Sequence, residues 1–456
     1  MKNRILLIDP YFKEGLKGFS IGLAYIAGAL KKEGYDVLIL DLTAHSIIKK
    51  KDYREILKKE LSRYKPDIIG ITSTSPTHQS ALEIAKIIKK IKDIPIIKGG
   101  PHETNCAETT IKNNPEINYS VVGEGERTIV ELVDAILNNK SIKNIKGIVY
   151  RENGTLRNNG RRELIQNLDD LPMPARELFY INKQFNKYYS ADLFNGKKST
   201  TITTSRGCPY NCSFCSARAI WGGFRQRSVD NVIKELEKLY SYGFRGFMIE
   251  DDMSLANKTW FLDFAKEIKQ KRLKIEYSLQ TRADAIDEEI AKSLEESGCK
   301  FMYFGVESGV QDILDKCNKK ITIKHIKEAF DIAKKYKIRC MASIQFGLPG
   351  EDLKNLSTVK ETIRVLNEEL KPDEVAISYT ALYPGSPLAI QEGITPEMYE
   401  NYMSTQADKE IYKKTAHGSH SIHLKDLTPE KIHEIEQLLK KELKIKRFKV
   451  KTFYKV

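Results

Sequence analysis

Long apolar runs are absent from this chain of 456 residues. No stretch approaches the roughly 18 consecutive apolar residues that a membrane-spanning helix needs, so the sequence predicts a protein without membrane spans. The opening residues, MKNRILLIDPYF, lead directly into a strand-like run and lack the layout of a secretory signal peptide. We therefore expect a cytoplasmic location, in which thiols stay reduced.

Cysteine is scarce, with seven residues in the chain, and three of the seven are Cys208, Cys212 and Cys215. In a reducing compartment this spacing predicts metal binding or catalysis rather than disulfides. A fourth cysteine close by in sequence is missing, which disfavours a structural zinc site with four ligands. Thiolates also bind iron–sulfur clusters. Three ligands on a four-iron cluster would leave one iron open to bind and activate another molecule.

Charge and composition exclude little. Hydrophobic residues make up 41% and charged residues 30% of the chain, which is typical of a globular protein. The net charge of +14 leaves nucleic acid, anionic lipid and anionic substrates open as partners. The length predicts two or three domains.

Residues 1–140 alternate between short apolar runs and amphipathic helical patterns. Five runs, such as RILLIDP and DVLILDL, predict buried strands, and the helices between them predict βαβ units with a parallel sheet. We therefore expect a doubly wound, Rossmann-like domain with its ligand crevice at the carboxyl ends of the strands. A Gly-x-Gly-x-x-Gly turn is absent after the first strand, which argues against a dinucleotide.

A second series of strands and helices begins near residue 200. Six candidate strands predict a partial (β/α)6 barrel over residues 196–395, and residues 141–195 predict a connector. The cysteine triplet follows the first barrel strand, where a barrel enzyme keeps its active site. Residues 396–456 predict a helical, basic extension.

The spacing CxxxCxxC, with Phe214 before the last cysteine, resembles the signature of the radical S-adenosylmethionine (SAM) superfamily. The resemblance implies that the three cysteines bind a [4Fe–4S] cluster whose open iron holds SAM. It also implies that an electron from a donor such as flavodoxin or ferredoxin cleaves SAM to a 5′-deoxyadenosyl radical. That radical would abstract hydrogen from an unactivated carbon.

Four further motifs at the ends of barrel strands resemble elements of the same superfamily, although the usual Gly-Gly-Glu is absent after the second strand. Ordinary loop residues are the alternative for each motif taken alone. The resemblance implies that SAM is contacted by residues of IEDD, QTRAD, GVESG and QFGLPGE, namely Glu250, Asp251, Gln280, Arg282, Glu307, Ser308 and Gln345.

The doubly wound domain, its GGPHET and VVGEGE loops and the following LDDLPMPA resemble the cobalamin-binding subgroup of that superfamily. The resemblance covers about residues 1–390. No histidine is preceded by aspartate two positions earlier, so the Asp-x-His-x-x-Gly loop that provides an axial imidazole is absent. A domain that has lost its cofactor is the alternative. The implied cobalamin contacts are Ser73, Thr74, Gly99, Gly100, Pro101 and Glu124, with His102 beside the corrin rather than on cobalt.

The function implied is methylation of an unactivated carbon, through methylcobalamin, on a small-molecule, lipid or peptide substrate. Non-methylating cyclisation, rearrangement or oxidation on the same scaffold is the alternative. A tRNA-modifying enzyme is disfavoured because only Cys106 precedes the triplet and the tail is helical. A simple cobalamin-sensing module would leave the triplet unexplained.

Two features of the last 50 residues stay open. The segment AHGSHSIH carries His417, His420 and His423, and its Gly and Ser residues favour a loop over a metal site. The tail alternates basic and apolar residues after Leu443, which favours a helix packed on the barrel with a solvated basic end. Peripheral contact with an anionic membrane is the alternative.

Overall fold

Two seven-stranded sheets form the framework of the protein. The structure is a computed structural model and describes residues 3–12, 18–190, 192–402, 422–445 and 448–450. His417, His420 and the end of the basic tail lie outside these described residues.

The first sheet is doubly wound, as the sequence predicts. Odd-numbered residues of its first strand, such as Ile5 and Leu7, join one apolar cluster, whereas Leu6 and Ile8 join another on the opposite face. Because helices cover both faces, the strand is apolar throughout. The parallel strands are β1 (Arg4–Asp9), β2 (Asp36–Asp41), β3 (Ile68–Thr72), β4 (Ile96–Gly99) and β5 (Tyr119–Val121). Their order across the sheet is β2-β1-β3-β4-β5. The helices are α1 (Ile21–Lys32), α2 (Leu42–Lys49), α3 (Tyr53–Tyr64), α4 (His78–Ile91), α5 (Glu103–Asn113) and α6 (Gly125–Leu137).

A hairpin from the predicted connector extends the first sheet. Strand β6 (Ile148–Glu152) pairs antiparallel with β5, and β7 (Thr155–Asn158) pairs with β6. Asn153 and Gly154 between them both have positive φ angles, 52° and 78°, as a two-residue type I′ turn requires. The Asn-Gly pair is a hairpin signal that the sequence analysis did not use. The chain then continues through α7 (Lys183–Tyr189) to the barrel.

The second sheet confirms the partial barrel. Its six predicted strands are all parallel, and a short seventh strand near the end of the chain pairs with the last of them. The strands are β8 (Ser199–Ile202), β11 (Gly246–Ile249), β12 (Glu276–Thr281), β13 (Cys299–Glu307), β14 (Arg339–Phe346), β15 (Glu374–Tyr379) and β16 (Phe448–Val450), while β9 (Ser205–Arg206) and β10 (Arg225–Gln226) form a separate antiparallel pair on either side of the cysteine loop.

Helices on the outside of the barrel pack on a large apolar core. They are α9 (Val229–Ser241), α10 (Lys258–Gln270), α11 (Glu288–Ser297), α12 (Gln311–Lys316), α13 (Ile323–Lys335) and α14 (Ser357–Arg364), which continues as a π-helical turn over Val365–Leu370. The short helix α8 (Ala217–Trp221) follows the cysteine loop and has no residue in this core. Inside the barrel, Phe301, Met341 and Ala376 form a small apolar cluster, and Gln280 and Gln345 are half-buried polar side chains. The barrel therefore has a large outer apolar core and an interior that is partly polar.

The described part of the C-terminal region contains α15 (Pro387–Gln391), α16 (Pro396–Tyr402) and α17 (Pro429–Glu442). Helix α17 packs on the barrel core, whereas α16 contacts α5 of the first domain. Thr428 caps α17 by accepting a hydrogen bond from Lys431 N, and Pro429 occupies the first helical position. Within the described ranges, no helix combines the length and apolar character needed to cross a bilayer.

Candidate active site between the two sheets

The carboxyl-terminal ends of both parallel sheets face one cavity of about 610 Å³. Parallel strands bring all their carboxyl ends to one edge, and the two domains turn these edges toward each other. Residues from both sides line the cavity, among them Gly22, Tyr25, Gly99, Gly100, Pro101, Gly123, Glu124 and Glu126 from the first domain and Ser205, Arg206, Trp221, Glu250, Asp252, Gln280 and Tyr303 from the barrel.

Backbone forms much of the wall on the first-domain side. At Gly22 and Gly123 an added Cβ would meet no protein atom within 4 Å, so the chain borders open space there. Gly100 has a φ of 104°, and an added Cβ would lie 2.7 Å from the Ser73 carbonyl oxygen. Glycine at position 100 therefore lets the loops after β3 and β4 approach each other closely. A flat ligand can approach a wall of backbone atoms more closely than a wall of side chains.

The structure places some of the predicted cobalamin contacts at the cavity and others behind it. Gly99, Gly100, Pro101 and Glu124 line the cavity, and Ser73, Thr74 and His102 do not.

Local hydrogen bonds account for the two hydroxyl residues of this loop. Thr74 forms a reciprocal cap with Thr77, and Ser73 ties the loops together through its backbone: Ser73 N donates to Gly99 O, and Ser73 O accepts from His102 N. The Thr74 hydroxyl therefore shapes the loop, whereas the Ser73 hydroxyl is buried and has no hydrogen-bond partner among the described residues.

His102 is deeply buried. Its Nδ1 hydrogen-bonds with Ser75 Oγ at 3.2 Å, and its ring stacks on His78 with the ring centroids 3.9 Å apart. Burial, together with Lys98 nearby, lowers the pKa of both histidines well below 6.5. Among the histidines that the structure describes, none lines the cavity. His423, in the predicted loop, is buried and donates a hydrogen bond to Thr380 O.

The three cysteines of the triplet are half-buried and free, whereas the other four cysteines are fully buried. Their loop is attached to the barrel at several points. Ser213 N donates to Cys317 O, and Ser213 O accepts from Leu388 N, each through the backbone. Asn318 Nδ2 donates to Asn211 O at 2.8 Å. These bonds hold the loop between cysteines in one conformation.

Burial raises the pKa of each thiol in the triplet, to about 12 for Cys215. The Lys319 ammonium acts in the opposite direction at Cys212. Three soft thiols on one anchored loop, with no disulfide among them, match the donor set of an iron–sulfur cluster. Cluster binding would release the thiol protons, because the thiolate is the metal ligand.

Two adjacent carboxylates after β11 hold the backbone that leads into the cysteine loop. Asp251 Oδ1 accepts from Thr204 N at 2.7 Å and from Ser205 N at 3.1 Å, and its Oδ2 accepts from the Thr204 hydroxyl. Asp252 Oδ2 accepts from Gly207 N at 3.1 Å. Asp251 is 1% exposed and does not line the cavity. Asp252, whose pKa burial raises to about 6, lines it with Glu250.

Gln280 and Arg282, predicted together, have different surroundings. Gln280 lines the cavity and donates to Asp251 O at 2.6 Å. Arg282 is 5% exposed and lies outside the cavity wall. Its guanidinium binds both oxygens of Asp284, donates to Lys319 O and stacks on the Tyr210 ring at 3.7 Å. Arg282 therefore supports the cysteine loop through Tyr210.

The remaining predicted residues lie around the barrel rim. Glu307, with a φ of 67°, pairs with the buried Lys319 ammonium at 2.7 Å. Ser308 is buried and its Oγ accepts from Val310 N, so it caps the next turn. Gln345 Nε2 donates to Thr380 Oγ1 at 3.2 Å inside the barrel. Of these, Glu307 lies nearest the triplet, since its charge acts on Cys212.

The main residue that sequence reasoning missed is Arg206, two positions before the triplet. Its guanidinium binds Glu124 and Glu126 of the first domain and lies 5.3 Å from the ring centroids of Tyr25 and Trp221. Glu124 also accepts from Arg225 at 2.7 Å and from Ile165 N at 2.8 Å. Burial alone would raise the pKa of Glu124, but the arginines hold it below its usual value. The acidic repeat GEGE and the Arg before Gly207 were the available signals.

Comparisons with known proteins agree with this arrangement. The family model described as the radical SAM superfamily matches residues 202–363, and the model described as the B12 binding domain matches residues 13–133. Each match falls on one of the two sheets. The fold and the site therefore define a two-domain protein of the radical SAM class.

Sequence similarity to individual proteins shows the family within this class to which the chain belongs. The chain is 36% identical over 394 residues to "Uncharacterized methyltransferase PH0819" of Pyrococcus horikoshii, with 84% of this chain and 82% of the relative covered. It is 27% identical over 415 residues to the anaerobic magnesium-protoporphyrin IX monomethyl ester cyclase of Rubrivivax gelatinosus, with 87% and 71% covered. The chain belongs to the cobalamin-binding radical SAM methyltransferase family, and the resemblance drawn from the sequence is confirmed.

A solved structure shares the fold. The radical SAM methyltransferase TsrM of Kitasatospora setae, determined with cobalamin and a [4Fe-4S] cluster bound, superposes with a TM-score of 0.70. The two chains are 20% identical, and the match covers 86% of this chain and 74% of TsrM. At this identity the similarity concerns the fold, and it confirms the predicted two-domain architecture.

Proposed function

We propose that this protein is a cobalamin-dependent radical SAM methyltransferase that methylates an unactivated carbon of a small-molecule, lipid or peptide substrate. The observation that carries the proposal is the single cavity shared by both sheet edges. A methyl donor held by the first domain and a radical generated beside the triplet would both act on a substrate in that cavity. Residues 1–140 would hold the corrinoid, and residues 196–395 the cluster and SAM.

The residues present fit the two cofactors. When bound, the cluster and SAM supply hydrogen abstraction, and the corrinoid supplies the methyl group. The thiolates of Cys208, Cys212 and Cys215 would hold three irons. Glu250 and Gln280, both in the cavity wall, would bind polar groups of SAM.

Aromatic side chains complete the cavity. Tyr25, Trp221 and Tyr303 line it, and Arg206 packs on the first two. These side chains would exclude water from the substrate and pack against its apolar part. Excluding water also protects a reactive radical from side reactions.

The test of methyl transfer uses full-length protein reconstituted anaerobically with iron, sulfide and cobalamin. It is incubated with reductant and with SAM deuterated in its methyl group. We expect the deuterated methyl group on the protein-bound corrinoid by mass spectrometry, with a matching amount of S-adenosylhomocysteine. Formation of 5′-deoxyadenosine with no S-adenosylhomocysteine would contradict methylation.

The second candidate function is radical cyclisation, rearrangement or oxidation without methyl transfer. The similarity to a magnesium-protoporphyrin cyclase over most of the chain favours it. The same experiment separates the two, because a non-methylating enzyme leaves the deuterium in the SAM-derived methionine.

The corrinoid would be held without a protein nitrogen on cobalt, since none of the described histidines lines the cavity. Electron paramagnetic resonance of the Co(II) corrinoid bound to the wild type should show no strong nitrogen splitting. The His102→Ala variant should give the same spectrum. A splitting that this variant abolishes would contradict the proposal.

Three further proposals concern the surroundings of the enzyme. A cytoplasmic flavodoxin or ferredoxin would supply the electron, and nucleic acid would not be a substrate. Any membrane contact would be peripheral, through the basic tail, whose last residues lie outside the described part of the chain. Truncation after Leu443 would then weaken binding to anionic vesicles and leave iron and corrinoid content unchanged.

A further inference from the structure

A cluster of buried ligand-type side chains lies behind the cavity, between the first sheet and the C-terminal region. His78 begins α4, His102 lies directly before α5, and Glu400 belongs to α16. His78 and His102 are 1% and 2% exposed, and the Glu400 side chain is 8% exposed. One ligand atom from each of the three residues can be chosen so that all lie within 4.8 Å of one another. Three elements far apart in sequence therefore converge on one point.

The charges of this cluster do not balance. Lys98 pairs with Glu103, and both side chains are fully buried. Glu400 Oε1 contacts the neutral His78 ring, 3.0 Å from Nε2, and accepts from Thr110 Oγ1 at 3.5 Å. Among the described residues, no lysine or arginine lies within ion-pair distance of the Glu400 carboxylate. Buried carboxylates in proteins are usually paired with a cation or bound to a metal ion.

His102 offers an unused ligand atom. Its Nδ1 is fixed by Ser75 Oγ, whereas its Nε2 is buried with no hydrogen-bond partner among the described residues. A buried imidazole nitrogen without a partner is costly. A metal ion at Nε2 would satisfy it, and the bond to Ser75 would set the orientation of the ring.

His78 has a contact at each ring nitrogen. Its Nδ1 lies 2.9 Å from Lys98 Nζ, and its Nε2 lies 3.0 Å from Glu400 Oε1. When Nε2 binds a metal, the ring proton lies on Nδ1, so Lys98 Nζ, which only donates, must move away from Nδ1 while it stays paired with Glu103. Glu103 is held in place by Ser120 Oγ at 2.7 Å. The stacked His78 and His102 rings, tilted by 29°, would turn apart so that both Nε2 atoms point to the ion.

We propose that His78, His102 and Glu400 bind a divalent transition-metal ion, of which zinc is the best match. Two imidazoles and one carboxylate are a known zinc ligand set, and three protein ligands leave a fourth position for water. The ion would fasten α16, which follows the barrel, to the loops after β3 and β4 of the first sheet. It is separate from the cysteine loop and from the cavity.

Zinc content tests this site directly, provided that the triplet thiols do not bind the probe. Full-length protein carrying Cys208→Ala, Cys212→Ala and Cys215→Ala is therefore dialysed against Zn²⁺ and then against buffer. We expect about one zinc per chain by elemental analysis. Adding His102→Ala or Glu400→Gln should abolish most of it, whereas adding His433→Ala, an exposed histidine of α17, should not.

Thermal unfolding shows whether a variant has lost zinc because it lacks a ligand or because it folds poorly. Zinc should raise the unfolding temperature of the protein that lacks the three triplet cysteines, because a ligand that binds only the native state stabilises it. The nearly isosteric Glu400→Gln protein should unfold cooperatively and show no such rise. Equal zinc content in the Glu400→Gln and His433→Ala proteins, or no zinc in the parent, would overturn the proposal. Neither result depends on methyltransferase activity.

Discussion

The two sheet edges that face the cavity differ in how clearly the sequence shows which residues bind a ligand. On the barrel edge, the ligand residues lie close together in sequence, and their loop is fixed by contacts from β11, α12 and α15. On the first-domain edge, the wall combines glycine backbone with apolar side chains such as Phe19 and Leu23. Several polar residues predicted to bind a ligand there are used in local hydrogen bonds instead. Polar side chains at a strand end therefore indicate a ligand less reliably than a cluster of one ligand type does.

Both edges depend on buried charges for their position. Asp251 and Asp252 bind the backbone before Cys208, and Arg206 joins the same segment to Glu124 and Glu126 across the domain boundary. Groups that organise a site are thus as polar as groups that bind its ligands. Asp251 shows the difference most clearly, because it is buried, lies outside the cavity wall and has both carboxylate oxygens hydrogen-bonded to the protein.

Removing the ligands of the barrel edge should have the largest effect. The variant with Cys208, Cys212 and Cys215 all changed to Ala should lose the cluster iron and all SAM cleavage, because no other thiol lies on that loop. Corrinoid binding should persist, since it depends on the other edge. Iron, sulfide and corrinoid are measured after anaerobic reconstitution, with the buried Cys106→Ala variant as control. A full cluster in the triple variant would contradict the assignment.

Removing Arg206, which connects the two edges, should have the next largest effect, a loss of unfolding free energy. Arg206→Ala leaves Glu124 and Glu126 buried without their shared partner, and such a loss typically costs about 3–5 kcal/mol of unfolding free energy. Denaturant titration measures it. The control is Arg54→Ala, which removes an exposed pair with Glu83 and should cost less than about 1 kcal/mol. Similar losses for both variants would show that the interdomain cluster adds little stability.

Variants of Asp251 and Asp252 test whether a carboxylate on the barrel edge positions the backbone or binds the ligand. Asp251→Asn removes the carboxylate charge and replaces the oxygen that accepts from the Thr204 hydroxyl with an NH₂ group, and we expect a loss of about 1–3 kcal/mol of unfolding free energy. Asp252→Asn should cost less, because that carboxylate makes a single 3.1 Å contact with Gly207 N. If Asp251→Asn left stability unchanged but weakened SAM binding, Asp251 would be a ligand residue after all.

The smallest effect concerns pH and the first-domain edge. The arginines lower the pKa of Glu124 below 4.5, so its contribution to stability is present above that pH and is lost as pH falls through the native pKa. Glu124→Gln should destabilise the protein by about 1.5–3 kcal/mol near pH 7. The gap between wild type and variant should narrow below about pH 4. A gap that is constant with pH would mean that the carboxylate charge is not what stabilises the contact.

The sequence predicted the features that depend on neighbouring residues. The alternation of apolar runs and helical patterns predicted both parallel sheets, since strand and helix periodicities are local properties. The spacing of Cys208, Cys212 and Cys215 predicted the ligand loop for the same reason. The hairpin around Asn153 and Gly154 was also readable, although the sequence analysis assigned it to a connector.

Only the tertiary structure decided which polar residues face the cavity and which hold it together. Glu124 and Arg206 are 82 positions apart in sequence, separated by α6 and the connector, and no local pattern shows that they pair. His78, His102 and Glu400 meet only because α16 packs on the first domain. The role of a buried charge depends on what surrounds it in space, because desolvation and pairing set its energy. Sequence periodicity predicts on which face of a helix or strand a side chain lies. Which residue it contacts there depends on how the elements pack in the folded chain.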